Sequence, residues 1–86
     1  MKTITIYLKD RGIKNNKLEV SGNVAAVNAA SIKRVLEQNK KQINRWLLFG
    51  EATFDVMDND TGEIVAQGNW MYNTFSGGGN YSFEVL

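Results

Sequence analysis

With 86 residues, the chain has room for one domain and a small core, burying roughly 60–65% of its unfolded surface. It is 43% hydrophobic and 22% charged, ordinary for a globular chain, and its formal net charge is only +1. It contains no cysteine and no histidine, which removes disulfides, thiolate and imidazole metal ligands, and the commonest general base.

The N-terminal stretch Thr3 to Lys9 alternates Ile4, Ile6 and Leu8 with Thr3, Thr5 and Tyr7, the period-two pattern of a strand with one buried side. Lys9 and Asp10 end this run too early for a signal peptide. Asp10 to Asn16 is polar and reads as a loop. Lys17 to Ser21 carries Leu18 and Val20 and reads as a short second strand ended by Gly22.

Asn28 to Leu47 reads as one long helix. Ala29, Ile32, Val35, Leu36, Ile43, Trp46 and Leu47 fall on its apolar side. Lys33, Arg34, Glu37, Lys40, Lys41, Asn44 and Arg45 fall on the other. Asn23 and Asn28 both suit an N-cap; Asn28 is preferred, although a start at Val24 stays open. Asn39 sits among the apolar positions, where it either interrupts the helix or bonds to a sheet edge. Left unpaired there, its amide would cost roughly 1–3 kcal/mol. Gly50 suits the left-handed terminus by which the helix should stop.

From Glu51 the period returns to two. Ala52, Phe54 and Val56 lead to the turn Asp58-Asn59-Asp60-Thr61-Gly62, and Ile64, Ala66, Gly68, Trp70 and Tyr72 return in alternation. Phe75 to Asn80, with three consecutive glycines, reads as a flexible loop, and Tyr81, Phe83 and Val85 mark a last strand. The expected fold is α+β, ordered β-β-α-β-β-β, with one helix packed on a largely antiparallel sheet in a single domain over 1–86.

Charge is divided along the chain. All ten basic residues lie within 1–45 against three acids, a net +7, while 46–86 holds six acids and no base, a net −6. Such a division points to a partner or to self-association, unless the halves interleave in one sheet and cancel. Two candidate partner-binding sets follow. The basic helix face (Lys33, Arg34, Lys40, Lys41, Arg45) suits a phosphate backbone or an acidic protein surface, helped by Lys9, Arg11, Lys14 and Lys17. The acidic hairpin (Asp55, Asp58, Asp60, Glu63) can imitate phosphates in a basic groove. Tyr7, Trp70, Tyr72 and Phe75 could stack on bases if the second sheet face were bare.

No catalytic residue, cofactor site or metal site is expected. Asp58 and Asp60 fail the calcium-loop frame, whose fifth and sixth positions are occupied by Gly62 and Glu63. Gly77-Gly78-Gly79 lacks the following Gly-Lys of a phosphate cradle. The longest purely apolar run, Trp46 to Phe49, is far too short to span a bilayer, so a cytoplasmic protein is expected.

The order of features resembles small phage-encoded anti-CRISPR proteins that inhibit type I CRISPR surveillance complexes. The resemblance rests on TITIYL, RGIKNN, LEV, NAASIKRV, TFDVMDNDTGEIVAQG, NWMY and YSFEVL, in that order. It implies a non-enzymatic inhibitor that binds a CRISPR-Cas complex in the host cytoplasm and blocks DNA access. Acidic patches are frequent in such proteins, and the basic half of this chain departs from that pattern. A small nucleic-acid-binding domain and a homodimer pairing helix to hairpin are the alternatives.

Overall fold

The computed structural model describes residues 1–11, 16–73 and 78–86, with backbone alone at Phe49, Asn73 and Gly78. Lys14, Phe75, Gly77 and most of the expected loop after Asp10 lie outside the described residues. The chain order is β1 (Lys2–Asp10), β2 (Lys17–Val24), α1 (Ala29–Gln38), α2 (Lys40–Leu47), β3 (Phe49–Asp58), β4 (Ile64–Asn73) and β5 (Gly78–Val85). The five strands form one antiparallel sheet in the order β2-β1-β3-β4-β5.

Alternation decides which side of the sheet is core. Ile4 pairs with Gly22 and Asp58, Ile6 with Val20 and Val56, and Leu8 with Leu18 and Phe54. Ala52 faces Trp70 and Trp70 faces Tyr81, so one apolar row runs across the sheet. The two helices bring Ile32, Val35, Leu36, Ile43 and Leu47 down onto this side, and all five are buried. The opposite side has no covering layer among the described residues. It carries Thr5, Tyr7, Lys9, Thr53, Asp55, Gln67, Asn69 and Ser82, as expected where one face of an antiparallel sheet meets water.

Several local expectations change. The single helix is two, because Asn39 takes φ −105° and ψ 7° while its Nδ2 donates to the Val35 carbonyl at 2.8 Å. An asparagine side chain competing for a helix carbonyl is the physical reason for the break, and it satisfies the amide. Asn28 caps α1 reciprocally with Ser31: the Asn28 Oδ1 accepts from the Ser31 amide at 2.9 Å, and the Ser31 Oγ from the Asn28 amide at 3.0 Å. Ala29 is exposed rather than core. α2 ends at Leu47, before Gly50 as expected; the C-cap is Leu48 (φ 65°, ψ −58°), and Gly50, near the start of β3, also takes a positive φ of 110°.

Two strands are longer than their patterns suggest. β2 continues through Gly22 to Val24, whose side chain is buried. β5 begins at Gly78, so Gly78 to Asn80, expected as loop, are strand paired with β4. The β3–β4 hairpin is as expected, with a register shift between Val56 and Met57. No helix among the described residues is long and apolar enough to cross a membrane.

Candidate interaction surfaces

The sheet order keeps the strands of the two halves of the chain apart. β2 and β1 lie at one edge, β3, β4 and β5 at the other, and among the described residues β1–β3 is the only strand pairing between them. Interleaving would have cancelled the charge division, and the sheet does not interleave. Strands β3 to β5 contain four acids and no base.

The helix layer is basic. Lys33, Arg34, Lys41 and Arg45 are exposed and Lys40 is half-buried. Arg34 is anchored, its guanidinium donating to the Asn23 carbonyl of β2 at 3.0 Å. Glu37, which the helical wheel places among these cations, is drawn away from them. Its carboxylate accepts from the Tyr81 hydroxyl of β5 at 2.8 Å. The only ion pair between two described residues joins Arg11 to Glu51 at 3.3 Å, at the far end of the sheet. Lys33, Lys40, Lys41 and Arg45 therefore have no carboxylate partner among the described residues.

The acidic hairpin does not form one patch. Asp58 is 6% exposed; its Oδ1 accepts from the Asp60 amide at 2.9 Å and its carbonyl from the Gly62 amide at 2.7 Å. It is the structural residue of the turn, with a side chain bonded locally to backbone, and is unavailable to a partner. Asp60 and Glu63 are exposed at the tip, while Asp55 is half-buried on the bare sheet face beside Tyr7 and Gln67. There it joins Glu19 and Glu84 in one cross-strand row. That row was legible only once the strand register was known.

The aromatics also separate. Trp70 is fully buried and Tyr72 half-buried on the helix side, which leaves Tyr7 as the one described member of the stacking set on the bare face. Tyr7 is flanked in register by Glu19 and Asp55, an unfavourable setting for a nucleic-acid base beside its phosphate. A shallow hollow of about 400 Å³ on this face, bordered by Arg11, Glu51, Asn69 and Met71, contains no buried polar group lacking a partner.

A polar connection that the helical wheel does not reveal ties α2 to the sheet. Trp70 Nε1 donates to Asn44 Oδ1 at 2.8 Å, so Asn44 turns inward rather than to solvent. Gly79 makes room for it, since a Cβ there would lie 2.6 Å from Asn44 Oδ1. Glycine inside a strand commonly marks such a close approach, and this was the available signal. Tyr81 stacks on Trp70 with ring centroids 4.9 Å apart.

Burial, and then the hydrogen bond and charge of Glu37, push the Tyr81 phenol up to about 12. A folded-state value above the unfolded one favours the native protein below pH ~10, and the benefit is lost as pH rises through the folded value. Alkaline titration followed by tyrosinate absorbance should show one tyrosine ionising near pH 12 in the wild type. Glu37→Gln should move that step toward the ordinary value, and an unchanged step would contradict the contact.

No protein-family model, curated protein or solved structure matches this chain. The surfaces must therefore be interpreted from their own chemistry. Among the described residues no three carboxylates converge as metal ligands.

Proposed function

We propose that the chain is a non-enzymatic protein-binding inhibitor that docks through the basic face of α1 and α2. The observation that carries this reading is the set of four cations, Lys33, Lys40, Lys41 and Arg45, without carboxylate partners among the described residues on the helix layer. Charges presented in this way steer association and select a surface of opposite sign. The partner surface is acidic protein. On the feature order described above, type I CRISPR surveillance complexes are the first target class to test, with blocked DNA access as the outcome. Asp60 and Glu63, at the exposed hairpin tip, form a second and smaller docking element.

Lys40→Glu with Lys41→Glu should weaken partner binding while circular dichroism and thermal unfolding stay as in the wild type. Unchanged affinity would remove the helix face from the interface. Salt dependence separates this reading from direct nucleic-acid binding. Five phosphate contacts would give a slope near about −4.5 in log K against log salt, a loss of roughly 500-fold between ~50 and ~200 mM. A protein interface with a desolvated centre should fall far less, because its rim charges act mainly on association rate.

A further inference from the structure

The outer edge of β5 differs from the other free edge of the sheet. β2 carries Lys17 and Glu19, and Arg34 covers its Asn23 carbonyl. Charged side chains of this kind discourage strand addition. β5 (Gly78–Val85) spans eight residues with no lysine, arginine or proline and a single charge, Glu84 near its end, and its pairing with β4 runs without a register shift. No described strand pairs with its outer side.

The direction of its hydrogen-bonding groups follows from one contact. Leu86 donates its amide to the Val65 carbonyl at 2.9 Å, continuing the β4–β5 register. In an antiparallel ladder, inward and outward groups alternate. Glu84, Ser82 and Asn80 therefore bond to β4, while Phe83, Tyr81 and Gly79 point both N–H and C=O away from the sheet. The side chains of these same outward-bonding residues lie on the apolar side, where Tyr81 and Phe83 are only half-buried.

We infer that β5 pairs antiparallel with β5 of a second copy, extending the sheet across a two-fold axis at Tyr81. With Tyr81 opposite its own copy, Gly79 faces Phe83 of the second copy, so the outward groups of Gly79, Tyr81 and Phe83 meet one another and both sheet faces stay matched. The Trp70–Tyr81 stack of each copy then meets at the axis, where half-exposed aromatic surface is covered. The pairing uses backbone groups of β5 and no side chain of the basic set, so it neither requires nor replaces the docking reading above.

In this register Asn80 lies opposite Ser82 of the second copy, and both are exposed on the bare sheet face. Asn80→Lys with Ser82→Lys would set like charges against each other twice, weakening the dimer about tenfold or more. Sedimentation of the wild type should show a concentration-dependent dimer, and the double variant should be largely monomeric at the same concentration. Hydrogen exchange of the wild type gives an independent readout, with Tyr81 and Phe83 amides becoming protected as concentration rises. A wild type that stays monomeric at high micromolar concentration overturns the inference. So does a dimer in which those two amides exchange as freely as in the monomer. Lys40→Glu with Lys41→Glu should leave the dimer intact, which separates failure of this inference from failure of the docking reading.

Discussion

Replacing Trp70 with alanine should cost ~3–5 kcal/mol of stability, the usual range for emptying an aromatic site in a core. Trp70 is fully buried, lies between Ala52 and Tyr81 in the cross-strand row, and donates to Asn44 of α2 at 2.8 Å. Its loss would leave a void at the centre of the sheet and remove the only partner of the Asn44 oxygen identified among the described residues. The stack on Tyr81, at 4.9 Å, would go with it. Small domains have only ~5–15 kcal/mol in reserve, so this one change could consume much of it. Urea denaturation is the direct measurement. A loss under ~1 kcal/mol would mean that Trp70 is not the core residue described here.

Gly68→Ala should also destabilise, by ~1–3 kcal/mol, although alanine ordinarily gains over glycine in a regular element. A Cβ at position 68 would lie 2.6 Å from Phe54 Cζ and 2.7 Å from Phe83 Cβ, and would press on the Ser82 carbonyl of the neighbouring strand. The last is backbone in a paired strand and cannot swing aside. The sign of the effect therefore distinguishes a strand glycine required by packing from an incidental one. Equal or greater stability for the alanine variant, by urea or heat, would contradict the described packing of β4 between β3 and β5.

Much of this architecture could be read from periodicity because the sheet has one dry face. Ile4, Ile6 and Leu8, then Ala52, Phe54 and Val56, alternate cleanly for that reason, and all six are buried. The hairpin turn was legible for a related reason, since Asp58 and Gly62 are residues that a tight turn needs. What escaped the pattern was set by tertiary contact. Gly79 looks like loop but is strand, because its neighbour is the Asn44 side chain rather than a residue close in sequence. Asn44 and Glu37 look like solvated helix positions, but Asn44 turns inward to Trp70 and Glu37, still exposed, bonds to Tyr81, partners 26 and 44 residues away.

The candidate surfaces divide in the same way. The basic helix face follows from a 3.6-residue period and needed no tertiary information, so Lys33, Lys41 and Arg45 are exposed as expected. The acidic set was grouped by proximity in sequence, and the fold disperses it. Asp58 is taken by its own turn and Asp55 joins Glu19 and Glu84 on the bare face. A cross-strand row depends on register, and register is fixed by pairing between distant segments.

Lys33, Lys40, Lys41 and Arg45, held on the helix layer with no carboxylate partner among the described residues, are the feature from which the functional reading grows. Affinity capture from nuclease-treated lysate containing a type I CRISPR surveillance complex, with the wild type and the Lys40→Glu, Lys41→Glu variant side by side, tests it most directly. Retention of that complex by the wild type and its loss from the variant is the predicted result. Equal capture by both proteins, or none by either once nucleic acid is digested, would contradict it.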